Sequence, residues 1–426
     1  MSKAREIAIN VIEKVLLGSS LQETLDNTLN KENLKKVDKA LITTLCYGYI
    51  RLKKRIDYVI KRTLKGSIKK LPQRLKIALG CGIYEILYLE KIPEYATVYT
   101  YVEYCKKKIS NRLSGLTNAI LRHVTRIKEE LLCEDFYKNG DFISFLSRYY
   151  SCPMWIIELW MRSYGEDVCV NLLKRSTEPS KIGIRINPKS KEAEEVFEYL
   201  KSQSPLIYQE GLGFLFERSF PVVLDELERK GVITRQSFEA QKITWDLEPQ
   251  KWPFPIWDCC CGAGLKTTLL LERGVEDLFA SDINLRRLFF LKKELKRLNL
   301  KAIPIFLADA KSFCPKNKPS TIFIDAPCSG LGVLSRRPDV KWKRRPDDLK
   351  RLASLQKEFL SKALSIVPLG GRVVYITCTI NPEENENLIR SLSGVDIVKE
   401  IGVKDLLRNP FFNDFFYAAV LKKVRS

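Results

Sequence analysis

The sequence predicts a multidomain chain. An all-α N-terminal bundle spans residues 1–140, a small α+β connector 141–235, and a C-terminal α/β domain 236–426 built on a doubly wound parallel sheet. Three observations carry this. A chain of 426 residues exceeds what one ordinary core organises. Apolar residues recur at three and four spacing through the first third, which is the period of amphipathic helices. Short strand-like runs alternate with helical stretches through the last third, the pattern of repeated β-α units.

In the first segment, helical spacing runs through Ala4–Leu17, Asp38–Arg51 and Leu75–Leu89, with few breakers (Gly66, Pro72, Pro93). Arg51-Leu-Lys-Lys-Arg55 and Lys106–Lys108 give the bundle a basic face. In the connector, helical stretches at Met154–Tyr164 and Ala193–Ser202 surround a strand over 181–186. In the last segment, strands are expected at Pro255–Cys259, Leu278–Asp282, Ile303–Leu307, Thr321–Asp325 and Arg372–Cys378. Helices are expected at Asn284–Asn299 and Asp347–Val367, and Tyr417–Val424 is expected as a final edge strand.

Composition narrows the function classes. The formal charge of +21 points to a polyanionic partner, most simply nucleic acid. The apolar runs are too short to span a bilayer, and the first residues lack an apolar signal core, so a cytoplasmic protein is expected. The twelve cysteines are irregularly spaced without a Cys-x-x-Cys pair, and His123 is the lone histidine, which argues against a disulfide framework and a zinc site. Most cysteines are expected to be buried small apolar groups.

Ligands of a doubly wound sheet bind at the carboxyl ends of its strands. The first strand ends at Asp258 and leads into Cys260, Cys261, Gly262, Ala263, Gly264, Leu265 and Lys266, which open a helix. Glycines there admit a ligand close to the backbone, and a helix N-terminus favours a carboxylate. Asp282 ends the second strand, where a carboxylate accepts ribose hydroxyls. Asp309 follows the third, where an acceptor reads an adenine amino group, and Asp325 ends the fourth. A nicotinamide enzyme is the competing reading, but Gly-x-Gly-x-x-Gly is absent, since positions 262, 264 and 267 read Gly, Gly and Thr. S-adenosylmethionine fits better.

Two cysteines stand apart. Asp325-Ala-Pro-Cys-Ser-Gly-Leu-Gly332 follows the fourth strand and Thr377-Cys-Thr-Ile-Asn-Pro-Glu-Glu-Asn385 the fifth, which puts Cys328 and Cys378 on one rim. Cytosine carbon 5 is a poor nucleophile. A thiolate added at carbon 6 makes the ring an enamine able to take a methyl group, and a soft sulfur can leave again. The loop from Arg336 to Arg345 carries six cations around Trp342, and Arg336, Arg337, Lys341 and Trp342 are expected to grip RNA phosphates beside the site.

These residues resemble the Sun/RsmB (Fmu) family of 16S ribosomal RNA cytosine-5 methyltransferases, in the NOL/NOP/Sun superfamily, across essentially the full length. The most specific pieces are Asp325-Ala-Pro-Cys-Ser-Gly330, Arg337-Pro-Asp-Val-Lys-Trp342, and Tyr375-Ile-Thr-Cys378 with Glu384-Asn-Glu386. Tyr47-Gly-Tyr-Ile-Arg51, Lys91-Ile-Pro-Glu-Tyr-Ala96 and Asn118-Ala-Ile-Leu-Arg122 are similar to a NusB-type RNA-binding domain. The resemblance implies a NusB-like bundle followed by a class I, Rossmann-like methyltransferase domain. It implies Cys378 as nucleophile, Cys328 assisting product release, and Asp325 and Lys266 in the catalytic centre. It also implies a cofactor site lined by residues 260–266, Asp282, Asp309 and Asp325, small-subunit rRNA as substrate, and a monomer without metal. The family's Cys-Ala-Ala-Pro-Gly-Gly-Lys is altered here to Cys260-Cys-Gly-Ala-Gly-Leu-Lys266, and Leu265 is costly if that position needs a positive φ. Alternatives are another RNA such as tRNA as substrate, or a non-catalytic RNA-binding assembly factor. A DNA cytosine methyltransferase is disfavoured by Ser329 after Pro-Cys and by the second cysteine.

Overall fold

The computed structural model describes residues 3–64, 66–217 and 223–425. The chain divides into two units: residues 1–178 with 337–344, and residues 179–336 with 345–426.

The first unit is helical. Its opening helix, Lys3–Leu16, buries Ala4, Ile7, Ala8, Val11, Ile12 and Val15, the expected three-and-four stripe. Lys36–Thr63 and Gln73–Tyr88 contribute most of the remaining core. The buried Glu85 carboxylate is fully engaged: Arg5 grips it at 2.7 and 2.8 Å, and the hydroxyls of Tyr101 and Thr97 donate at 2.7 and 3.0 Å. The helices Phe142–Tyr149, Met154–Tyr164 and Glu166–Thr177 belong to this unit, so the chain divides after residue 178, later than the 140 expected from texture. Trp160 and Ile157 bury their side chains as part of the apolar stripe of Met154–Tyr164, the helix expected there.

The segment 337–344 belongs to this unit as well, and it corrects the expected phosphate grip. Lys341 is only 1% exposed, its ammonium donates to the Arg51 carbonyl at 2.9 Å, and burial lowers it to about 8. Trp342 donates its indole N–H to the Ile50 carbonyl at 2.8 Å. Asp339 accepts the Leu21 amide at 3.3 Å and pairs with Lys343 at 2.6 Å. Lys341 is therefore a packing group turned away from solvent, and Trp342 is half-buried against the helix that carries Ile50.

The second unit holds two sheets. The smaller is antiparallel in the order β2-β3-β1-β4, with β1 Ile182–Ile186, β2 Leu206–Glu210, β3 Gly213–Phe216 and β4 Ile233–Arg235. Arg185 on β1 is buried and reaches Glu272 at 2.7 Å, Thr268 at 2.7 Å, and Gln236.

The larger sheet has seven strands: β5 Ile256–Asp258, β6 Leu278–Asp282, β7 Ile305–Leu307, β8 Thr321–Asp325, β9 Arg372–Thr377, β10 Val395–Ile401 and β11 Tyr417–Lys423. Its order is β10-β11-β9-β8-β5-β6-β7, parallel from β9 to β7. The chain order reverses between β5 and β8, so their carboxyl ends, Asp258 and Asp325, flank the switch point. Tyr417–Lys423 is not an edge strand. It lies antiparallel between β9 and β10, and β10 forms the edge with Asp396, Lys399 and Glu400 along it. Charges along an exposed edge discourage pairing with other chains.

Candidate active site

The turn after β5 adopts positive φ at Gly262 (56°) and Gly264 (90°). Leu265 opens the helix Leu265–Glu272 and is not among the positive-φ residues, so leucine costs nothing there on backbone grounds. A Cβ on Gly264 would meet Leu291 at 2.3 Å, which makes glycine obligatory, whereas beside Gly262 the space is open.

Asp282, buried at the end of β6, accepts the Gly262 amide on Oδ2 at 2.9 Å and the Asn284 amide on Oδ1 at 2.8 Å. Each oxygen keeps a lone pair for a further donor. Ile283 beside it is 69% exposed, an apolar face such as a purine ring would cover. Asp309 follows β7, partly buried, and caps its own turn by accepting the Lys311 amide at 3.0 Å. Asp258 is buried at the end of β5. Its Oδ2 accepts the Thr267 hydroxyl at 2.6 Å, while Oδ1 has no hydrogen-bond partner among the described residues. Burial foremost pushes its carboxyl up to about 7. An orphaned buried oxygen, an open glycine turn, an anchored carboxylate and a bare apolar residue at adjacent strand ends fit S-adenosylmethionine, whose ribose, amino acid and adenine need those partners.

Lys266 and Asp325 form an ion pair at 2.6 Å, with Lys266 mostly covered and Asp325 about one-third exposed. Beyond Asp325 the chain turns so that Cys328 Sγ lies 3.1 Å from Cys378 Sγ, and the Cys378 amide points at the Cys328 sulfur at 3.3 Å. Both thiols are partly accessible. Gly332 locks the two loops: its amide donates to the Cys378 carbonyl at 3.1 Å, and a Cβ there would lie 2.0 Å from the Phe415 carbonyl oxygen. Cys328 is pushed well above an ordinary thiol, first by its hydrogen bond to Cys378, then by burial, the Cys378 charge and Glu384. Cys259 and Cys261 also have raised thiols but, unlike Cys328 and Cys378, they are buried and out of reach of a substrate.

Of the expected site residues, the structure gathers Gly262 with Asp282, Lys266 with Asp325, and Cys328 with Cys378. Cys260, Ala263, Gly264 and Leu265 sit in the same turn. Arg336 pairs with Asp414 at 3.4 Å, while Arg337 is exposed. Sequence reasoning missed the polar cluster behind the thiols, centred on Glu384 and Gln356. One signal was present: Gln356 interrupts an otherwise apolar stripe of Leu349, Leu352, Phe359, Leu360 and Ala363.

A family model described as 16S rRNA methyltransferase RsmB/F matches residues 244–399, and one for the NusB family matches residues 2–126. Ribosomal RNA small subunit methyltransferase B of Escherichia coli is 30% identical over 98% of both chains, and the protein of that name from Proteus mirabilis is 30% identical over the same shares. The crystal structure of PH0851 covers 99% of this chain and 100% of its own with a TM-score of 0.72 at 21% identity, which shows a common fold. NSun6 from Pyrococcus horikoshii, solved with SFG, covers 64% of this chain and 99% of its own with a TM-score of 0.55 at 20% identity.

Proposed function

The chain belongs to the RsmB/F ribosomal RNA methyltransferase family, and on that premise we propose that it methylates carbon 5 of a cytosine in 16S rRNA through a covalent bond between Cys378 and the base. The observation that carries the reading is the pair of thiols 3.1 Å apart at the ends of neighbouring strands, next in sequence to the Lys266–Asp325 ion pair.

S-adenosylmethionine supplies an electrophilic methyl group when bound, held by Asp282, Asp258 and the Gly262–Gly264 turn. The chain's own residues do the rest. The target base leaves its stack to reach the strand ends. Cys378 adds to carbon 6, which raises electron density at carbon 5. Asp325, fixed by Lys266, is placed to hold the pyrimidine edge. After methylation a base takes the carbon-5 proton, the carbon–sulfur bond breaks, and the aromatic ring and the Cys378 thiolate are restored. Cys328, whose sulfur lies 3.1 Å from that of Cys378, is assigned to release.

The helical unit supports RNA binding through its Lys and Arg clusters, such as the exposed Lys106–Lys108 at a helix C-terminus. Twelve free thiols suit a reducing, cytoplasmic setting, and we propose a monomer there. The test is transfer of labelled methyl from S-adenosylmethionine to 16S rRNA, followed by digestion to nucleosides. Label in 5-methylcytidine supports the reading. Binding of rRNA without transfer indicates an assembly factor, and transfer to tRNA in preference to 16S rRNA moves the substrate.

A further inference from the structure

We propose that Glu384 is a positioning residue that holds the Cys328 and Cys378 loops in register and assigns the shared proton of the pair to Cys328. The inference rests on Cys378 being the nucleophile.

Glu384 is fully buried in the turn after Cys378. Its Oε2 accepts the Ser329 amide at 2.9 Å and the Gln356 side-chain N–H at 2.9 Å, and its Oε1 accepts the Asn381 side-chain N–H at 3.2 Å. Gln356 also donates to the Pro327 carbonyl at 2.9 Å. The residues on both sides of Cys328 are therefore tied, one directly and one through Gln356, to a single carboxylate. That carboxylate is carried by the Cys378 loop.

The Cys378 side is fastened by the same cluster. The Thr379 hydroxyl meets the Ser329 hydroxyl at 2.7 Å, Asn385 donates to the Thr379 carbonyl at 3.0 Å, and the Thr377 hydroxyl donates to Asn385 at 2.7 Å. The Tyr375 hydroxyl donates to the Glu384 carbonyl at 2.8 Å. Gly332, bonded to the Cys378 carbonyl, closes the frame from the other end.

Among the described residues no Lys or Arg pairs with Glu384. Neutral dipoles alone satisfy it, so its charge is felt by the neighbouring sulfurs in a buried setting. A negative charge there opposes ionisation of Cys328, adding to its hydrogen bond with Cys378 and to its burial, while the Cys378 amide at 3.3 Å acts the other way. When the pair loses one proton, Cys378 gives it to water. Cys328 keeps its own and donates it across the 3.1 Å gap to the Cys378 sulfur. Once Cys378 has bonded to carbon 6, its sulfur is a neutral thioether. The hydrogen bond to Cys378 and the charge on that sulfur, which with burial hold the Cys328 proton, then fall away, and Cys328 becomes freer to exchange a proton during release. Glu384 thus orders the two thiols, attack first and release second.

The experiment compares the full-length wild type with Glu384→Gln and with Glu383→Gln, a change at the exposed neighbouring carboxylate. Each is treated with limiting iodoacetamide, and the alkylated cysteines are mapped by mass spectrometry. Of the two site thiols, Cys378 is expected to react first in wild type and Glu383→Gln, with the exposed Cys133 and Cys314 as internal references. Glu384→Gln is expected to raise the Cys328 share about tenfold, the effect of about one pKa unit on a thiolate fraction. S-adenosylhomocysteine binding serves as the folding control. If folded Glu384→Gln keeps the wild-type partition, the assignment of the proton is overturned. Gln356→Met removes the link from Glu384 to the Pro327 carbonyl, both of its hydrogen bonds included, while leaving the carboxylate in place. It should slow formation of the covalent adduct with RNA containing 5-fluorocytidine about tenfold without changing the alkylation partition, and adduct formation at the wild-type rate overturns the positioning role. If wild type reacts first at Cys328 and forms no adduct through Cys378, the underlying choice of nucleophile fails instead, whatever the variants do.

Discussion

Replacing Asp258 with Asn separates the burial of this carboxyl from its charge. In the wild type Oδ2 takes the Thr267 hydroxyl at 2.6 Å and Oδ1 is orphaned. Burial raises the group from 3.8 to about 7, the Thr267 bond opposes the rise, Asp325 adds to it, and Lys266 opposes it. Between those two values the folded carboxyl holds a proton that the unfolded one has lost. Stability therefore falls as pH rises across that window and levels off above it. Asparagine keeps an acceptor for Thr267 and cannot ionise. Between about pH 5.5 and about pH 8.5 the wild type should lose about 2 kcal/mol relative to Asp258→Asn, from about 1.4 kcal/mol per pH unit until the folded group ionises. Urea unfolding of both proteins at both pH values measures this, because other titrating groups cancel in the difference. An advantage of the Asn variant that does not grow with pH refutes the reasoning.

Asp282→Ala removes the anchor of Gly262 and a charged acceptor together, and should weaken S-adenosylmethionine binding by about 1.5–3 kcal/mol in calorimetry; an unchanged Kd contradicts the assignment. Arg185→Met leaves the Glu272 carboxylate buried without its cation and should cost about 3–5 kcal/mol of stability in denaturant unfolding, much of it recovered by adding Glu272→Leu. RNA affinity should fall steeply with salt if several phosphates are neutralised, and a log–log slope near zero in filter binding counts against an electrostatic grip.

The parallel strands β5, β6, β8 and β9 were legible because a strand covered on both faces reads as an unbroken apolar run. The antiparallel edge was not. Val395–Ile401 mixes charges with apolar residues and resembles a loop until Tyr417–Lys423 is laid beside it. The residues that the fold gathers at the strand ends could be read because those ends are marked by Asp, Gly and Cys. Lys341 was misread for a physical reason: a basic segment with an aromatic looks the same whether its cations face phosphate or pack on helix carbonyls, and only tertiary contact decides. Glu384 was quoted only as part of a motif, since its donors come from Ser329, Gln356 and Asn381, which local sequence cannot bring together.

The division of labour between the two thiols is tested most directly by denaturing electrophoresis of Cys378→Ala and Cys328→Ala after incubation with rRNA and S-adenosylmethionine. Cys378→Ala should show no covalent RNA complex and no methylation, because the attacking sulfur is gone. Cys328→Ala should attack and methylate but stall at release, and so accumulate an RNA adduct that survives denaturation. The reverse pattern, an adduct trapped by Cys378→Ala and absent in Cys328→Ala, would contradict the assignment and make Cys328 the nucleophile.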